Sequence, residues 1–439
     1  MRVETRDRAS PRDSRREKYM SISPTRAAWL LEQARERFLR YAAIATTSDE
    51  QSGARPSSDG QRRFAELLRD ELVALNIRSV ELDDWGYLYA ALPASTGVSA
   101  PALTFCAHLD TSPSESGERV KPVIHEQYDG GAILFPDNPE LRLTPDDSPP
   151  LRDYIGQTII TASGATLLGA DDKAGVAEIM AALAAFQAFP DLPHPELRVV
   201  FTPDEEIGLG AEHIRMEKLG RIGYTIDGGE MGELEDECFD ALRVNMTMRG
   251  QNVHPGEAKN RMVNAAAIAA RFLAALPEHE TPEHTEKREG FFHLMRLSGD
   301  ENRAEFSMIL RDFDRERNRQ RVELLRQQIR LFELRYAGLG VDIEVIEQYQ
   351  NMRETLRGVP DVTRQAERAI AMAGIRLIRK AIRGGTDGAR LCVLGMPTPN
   401  LFSGGLLFHS KKEWIPEIAL QKAAEVIIHL CGLWAAERE

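Results

Sequence analysis

A chain of 439 residues exceeds what one ordinary hydrophobic core organises, and its 42% hydrophobic content is enough for two domains. The formal net charge of −13 removes the basic footprint that nucleic acids and anionic membranes require, so neither is expected as a partner. No apolar run approaches the roughly 20 residues of a membrane-spanning helix, and Cys106, Cys238, Cys392 and Cys431 stand far apart without CxxC spacing, which suits free thiols in the cytoplasm.

Residues 1–26 mix arginines with acids and contain no apolar stretch, a composition that counts against an export or transit signal and predicts a disordered tail. From 27 to 239, strand-like runs alternate with helical patterns, which predicts an α/β domain with a mostly parallel sheet. "PALTFCAHLDT" predicts a strand over Leu103–Ala107 that delivers His108 and Asp110 at its carboxyl end. "TLLGADDKAGVAEIMAALAAF" places a turn before a helix from about Ala174, "LRVVF" reads as a buried strand, and "YTIDGG" closes another strand at Asp227. From 240 to 352 the order becomes strand, helix, two strands, a long helix over Arg315–Tyr336 and a last strand. That order is βαββαβ, a ferredoxin-like α+β module inserted into the first domain. On its long helix, Val322, Leu325, Ile329 and Phe332 form the stripe that faces the core, and the arginines face solvent. Residues 353–439 resume the α/β pattern, complete the first domain and end in an amphipathic helix from Pro416.

Asp204, Glu205 and Glu206 stand in a row directly after "LRVVFTP". Two carboxylates 4 Å apart repel by about 4 kcal/mol at an effective dielectric near 20, so the triplet needs open water or a cation. In open α/β sheets, ligands gather outside the carboxyl ends of the strands. "HLD" at 108–110, "GADDKAG" at 169–175, "DEE" at 204–206 and "IDGG" at 226–229 all fall at such ends, and "LLFHSKKE" adds His409. Each alone reads as a surface turn or a capped helix start; together they read as a metal site. Imidazole and carboxylate donors without thiolate suit zinc, manganese or cobalt. Two divalent ions would balance three liganding carboxylates and a hydroxide, leaving one of Glu205 and Glu206 free to handle a proton. A phosphate-binding loop is excluded, because "GATLLGADDKAG" lacks the GxxxxGK[ST] spacing and places acids where phosphates would sit.

With "TLLGADDKAGVAEIMAAL", "FTPDEEIGLGAEH", "YTIDGGEMGELE", "NVHPGEAKNRMVNA", "ILRDFDR", "YQNMRE" and "IRGGTDGA", the chain resembles the di-zinc exopeptidase family that includes carboxypeptidase G2-type enzymes. The resemblance runs from about residue 33 to 435 and is strongest to the members that act as aminopeptidases on tripeptides. It implies two divalent metal ions, zinc by preference, with Asp171 bridging them, His108 and Asp227 completing one site, and Glu206 and His409 the other. It further implies Glu205 as general base, Asp110 as the group that fixes the His108 tautomer, and a cis peptide between Asp171 and Asp172. The inserted module resembles the family's lid, through which relatives often form homodimers. His254 would stabilise the developing oxyanion, and Arg311 and Arg383 would meet the backbone and terminal carboxylate of a small peptide substrate. One departure from the family pattern surrounds His409: Leu406, Leu407 and Phe408 replace a more polar and aromatic run, and Ser410 and Lys411 stand where the family has Gly and His. A carboxypeptidase, dipeptidase or amidohydrolase would use the same scaffold, and so would a binding protein without activity. The presence of Glu205 beside all five candidate ligands weighs against the last, since a structural metal site has no use for a spare base.

Overall fold

A computed structural model describes residues 22–436. The disordered tail expected over residues 1–21 therefore lies outside the described residues, and at residues 22–26 the expectation fails. Ser23 accepts a hydrogen bond from the Arg26 N–H and Pro24 occupies the first turn, so helix α1 (Pro24–Ala42) starts within the expected tail.

The chain divides into two compact units, one made of residues up to Asp236, Thr355–Lys380 and residues from Thr386 onward, the other of Glu237–Glu354 with Ala381–Gly385. The first unit is built on an eight-stranded sheet ordered β1-β2-β8-β3-β9-β16-β10-β15. Its strands are β1 (Ser79–Leu82), β2 (Leu88–Leu92), β3 (Leu103–His108), β8 (Leu197–Thr202), β9 (Ile222–Gly228), β10 (Glu233–Cys238), β15 (Ile378–Ile382) and β16 (Asn400–Phe402). The central strands β8, β3, β9 and β16 run parallel, flanked by antiparallel β2 and β10. Every residue of β3 is buried, the pattern of a strand covered on both faces. Three strands, β4 (Val123–His125), β7 (Ile159–Thr161) and β17 (Trp414–Pro416), form a small second sheet, and β5 (Ile133–Phe135) pairs with β6 (Asn138–Leu143).

The remaining helices of this unit are α2 (Asp59–Ala74), α3 (Ala170–Ala188), α7 (Pro360–Met372), α8 (Asp387–Val393) and α9 (Glu417–Ala436). Two expectations about α9 need correction. Helix α9 is not amphipathic: it packs against α1, α3 and α7, which bury it on nearly every face. By length and composition it also passes the test for a membrane-spanning helix, contrary to the reading that no apolar run comes near. Its burial inside the protein shows that the apolar surface serves as core.

The second unit folds in the predicted βαββαβ order: β11 (Asp240–Arg249), α4 (Ala265–Leu273), β12 (Phe291–Gly299), β13 (Arg303–Asp312), α5 (Arg315–Arg335) and β14 (Gly340–Tyr349). A short helix α6 (Arg353–Gly358) follows. The sheet is antiparallel and ordered β12-β13-β11-β14, so β12 and β14 are edges. Val322, Leu325, Ile329 and Phe332 of α5 are buried in one cluster with Phe272 of α4 and Met246, Met248 and Phe306 of the sheet. Asp312 at the end of β13 is buried and accepts a 2.7 Å hydrogen bond from Arg321.

Candidate metal centre

Parallel pairing aligns the carboxyl ends of β8, β3 and β9, because His108 pairs with Thr202 and Cys106 with Thr225. His108, the acidic triplet and Asp227 therefore emerge side by side. Asp171 arrives from the first turn of α3, where Gly169 takes the left-handed conformation (φ 78°) and the Asp171–Asp172 peptide is cis. Gly175 lets this helix approach β9, since a Cβ there would stand 1.9 Å from the Ile226 carbonyl oxygen. His409 enters from the loop after β16, itself left-handed (φ 59°), as is Asp204 (φ 59°). Positive φ at non-glycine residues is uncommon and concentrates at functional sites, and here it occurs on two loops of the same site.

The five expected ligands converge. His108 Nε2 lies 2.8 Å from Asp171 Oδ1 and 3.5 Å from Asp227 Oδ1. His409 Nε2 lies 3.1 Å from Asp171 Oδ2 and 2.9 Å from Glu206 Oε2. Each oxygen of Asp171 thus faces a different imidazole. His108 Nδ1 stands 3.1 Å from the Asp110 carbonyl oxygen, an acceptor only, so this nitrogen carries a proton and Nε2 is the nitrogen that a cation would engage.

Asp110 does more than the sequence suggests. Its carboxylate is 3.4 Å from His108 Nδ1, and it accepts the backbone N–H groups of Glu205 and Glu206 at 3.0 and 3.1 Å. The acidic triplet is held from the other side by Asp204, whose carboxylate accepts Ser57 Oγ at 2.5 Å and Gln61 Nε2 at 2.7 Å. The triplet therefore has three separate duties. Asp204 is buried and braces the turn, Glu206 faces His409, and the Glu205 side chain makes no salt bridge among the described residues.

The electrostatics identify what is lacking. None of Asp171, Glu205, Glu206 or Asp227 forms a salt bridge to lysine or arginine among the described residues, and Glu206 Oε1 is buried without a hydrogen-bond partner. Burial pushes the Glu206 carboxyl up to about 8, with Asp171 adding to the shift, and pushes Asp227 up to about 6. Burial likewise holds the Glu205 carboxyl well above the usual range. Burial opposes protonation of the histidines, but nearby carboxylates outweigh it: Asp227, Asp110 and Asp171 raise His108, and Asp171 with Glu206 raises His409 to about 11. A cluster that takes up protons so readily is short of positive charge. Two imidazole nitrogens and carboxylates on one shared bridging group, with an orphaned oxygen, fit two divalent cations. His108, Asp171 and Asp227 would hold one, and His409, Asp171 and Glu206 the other.

Other residues join the site that motif reading did not assign. Asp172 is fully buried, accepts the His108 N–H at 3.1 Å and lies close enough to His108 and Asp227 to offer an oxygen to the same ion. Its signal was the doubled acid in "GADDKAG". Asp387 in the first turn of α8 is buried and accepts Thr202 Oγ1 at 2.6 Å, bracing the strand end that leads into the triplet. Glu413, four residues after His409, accepts backbone N–H groups from the Asp171 turn.

The three residues expected to bind substrate lie in the second unit. His254 is exposed, and its Nδ1 accepts the Gly256 N–H at 3.2 Å. Arg311 donates to the Arg383 carbonyl at 3.3 Å, stacks its guanidinium over the Tyr349 ring, and keeps a buried Nε without a partner. The Arg383 guanidinium is already engaged by the carbonyls of Lys287 and Glu289 at 2.9 and 2.8 Å and by Thr285 Oγ1 at 2.9 Å.

A parallel α/β sheet with paired imidazole–carboxylate sites at its carboxyl edge defines a class of metallopeptidases, and comparison with known proteins agrees. Residues 167–432 match peptidase family M20/M25/M40, and the chain belongs to that family. Within it, the chain is 44% identical over 403 residues to peptidase T of Halothermothrix orenii, covering 92% of this chain and 99% of that protein. Among solved structures, aminopeptidase PepT of Bacillus cereus superposes with a TM-score of 0.72 at 23% identity, over 93% of this chain and 99% of that one. A tripeptidase of Staphylococcus aureus superposes with a TM-score of 0.73 at 20% identity over the same shares. At those identities the structural likeness speaks for the fold, and the sequence match carries the family.

Proposed function

We propose that this chain is a metal-dependent aminopeptidase that removes the N-terminal residue from tripeptides, with zinc in both sites. The observation that carries the reading is Asp171, whose two oxygens face His108 and His409 separately while the Glu205 side chain beside them makes no salt bridge among the described residues. A protein that only stored metal would have no use for that spare carboxylate. Peptidase activity is what the sequence relatives are named for, and the tripeptide length is taken from the name of the solved Staphylococcus aureus tripeptidase.

Bound zinc would supply Lewis acidity, polarising the scissile carbonyl and acidifying water. The chain's own residues would do the rest. Glu205 takes the proton of the attacking water on its carboxylate and returns it to the leaving amine, a role that suits a carboxyl raised by burial. Asp110 holds the Glu205 backbone and, through its carbonyl, the His108 tautomer. In the second unit, His254 is the proposed donor to the oxyanion, and Arg311, with its unspent Nε, the proposed contact to the peptide backbone. Arg383 is proposed for the terminal carboxylate, at the cost of some of its bonds to residues 285–289.

Zinc is supported by the thiolate-free imidazole and carboxylate donors. The cytoplasm is supported by four buried free cysteines. A homodimer is supported by edge strand β12, which exposes Leu294, Met295 and Leu297. The deciding experiment is a panel of di-, tri- and tetrapeptides, free and N-acetylated, assayed with and without added zinc. Release of the first residue from free tripeptides, lost on acetylation, is the expected result. Cleavage of acetylated peptides from the carboxyl end would overturn the aminopeptidase reading in favour of a carboxypeptidase or amidohydrolase.

A further inference from the structure

The loop that carries His409 reaches Asp171 twice. Leu406 and Trp414 pair backbone to backbone at its base, with hydrogen bonds of 2.9 and 3.1 Å in both directions. Trp414 is itself buried and tied through Nε1 to Ser148 Oγ at 3.1 Å, so the base of the loop is fixed to the small sheet. His409 projects from this closed loop to Asp171 Oδ2. Glu413, one residue before the base, is fully buried and turns to the same residue from the backbone side. Its Oε2 accepts the N–H groups of Leu168 and Gly169, each at 2.8 Å, and its Oε1 accepts the Asp171 N–H at 3.1 Å.

These three N–H groups belong to the turn that opens α3, where backbone donors have no partner within the helix. Left-handed Gly169 directs them to a common point, the kind of concave backbone nest that accepts an anion. Here the anion is a side chain of the chain itself. One short loop therefore holds Asp171 by its carboxylate through His409 and by its backbone through Glu413.

We infer that Glu413 is a positioning residue that fixes the distance between His409 and the bridging carboxylate of Asp171, and so sets the affinity and geometry of the His409 metal site. The inference rests on the two-site reading above. Glutamine at position 413 would keep the shape but replace one acceptor oxygen with an N–H₂ group pointed at backbone N–H donors, which forces the turn to move. Removing a partner that orients a metal ligand typically costs about ten- to a hundredfold in metal affinity.

The test uses the full chain loaded with cobalt(II), whose visible absorption reports ligand geometry, beside wild type, Glu413→Gln, Glu413→Asp and His409→Ala. Wild type should bind two ions. Glu413→Gln should weaken one of them by about tenfold or more, change the cobalt spectrum as His409→Ala does, and lower kcat with little change in KM. Adding Glu413→Gln to His409→Ala should bring little further loss at the weakened site, because both act on the same ion. Two ions bound by Glu413→Gln with unaltered affinity and spectrum would overturn the inference while leaving the two-site reading intact. Wild type that binds no ion would sink the two-site reading itself. If Glu413→Gln fails to fold, Glu413→Asp decides by the same measurements, since it keeps the charge but is too short to reach all three N–H groups. Failure of both to fold would assign Glu413 to the core and end the inference.

Discussion

Two groups of acids, one in each unit, are neutralised in opposite ways. In the second unit, Asp312 is met by Arg321 at 2.7 Å, and Glu237 by Arg288 and Arg353 at 2.6 and 2.8 Å. Arginine supplies permanent charge and several donors, so these acids are neutralised once and for all. At the carboxyl edge of the first unit's sheet, the ion pairs that Asp171, Glu206 and Asp227 form among the described residues are with imidazoles, and one buried Glu206 oxygen has no hydrogen-bond partner there. Imidazole can shed its proton and present a lone pair, which a guanidinium cannot. The difference separates charge pairs that stabilise a fold from a cluster that awaits a cation.

The largest effect that would break this comparison is removal of divalent ions. Chelation should abolish peptide turnover and added zinc should restore it, with far-UV circular dichroism unchanged throughout; a chelated chain that keeps its activity would place the cluster among ordinary structural acids. Next comes Glu205→Gln, expected to lower kcat by about a thousandfold, within the usual range for a general base, while elemental analysis still finds the metal. Full activity in that variant would remove Glu205 from the reaction.

A smaller effect is expected where arginine does the neutralising. Arg321→Met strands Asp312 in the core and should destabilise the chain by about 3 kcal/mol, the range for breaking a buried pair, seen as a lower denaturation midpoint with metal content unaltered. Metal loss in that variant would show that the two kinds of charge site are coupled. The smallest effect is reserved for Arg249 and Asp342, a solvent-exposed pair on β11 and β14. Arg249→Gln should leave the melting midpoint and the activity where they were, since exposed pairs are screened by water and salt.

Much of the site could be read from the chain because its chemistry is local. "HLD", "DEE" and "IDGG" each follow an apolar run that can only be a buried strand, and parallel strands deliver their ends to one place. The βαββαβ order of the second unit was legible for a similar reason: strand and helix periods differ, and the stripe of Val322, Leu325, Ile329 and Phe332 has helical spacing alone. The C-terminal helix was misread because its apolar residues run round every face, and only its packing against three other helices explains that pattern. Asp204 was legible as a charge but not as a brace, because its partners Ser57 and Gln61 lie more than a hundred residues earlier and carry no motif.

Sequence alone determined the element order and the types of donor that the site contains, since backbone periodicity and side-chain chemistry belong to each residue and its neighbours. Tertiary structure decided which oxygen faces which nitrogen, that the Asp110 carboxylate grips the backbone of Glu205 and Glu206, and that Glu413 holds the Asp171 turn from 242 residues away. Those contacts join side chains to backbone groups that every residue possesses. No residue type announces such a bond, and only the closure of distant loops around a common sheet brings donor and acceptor together.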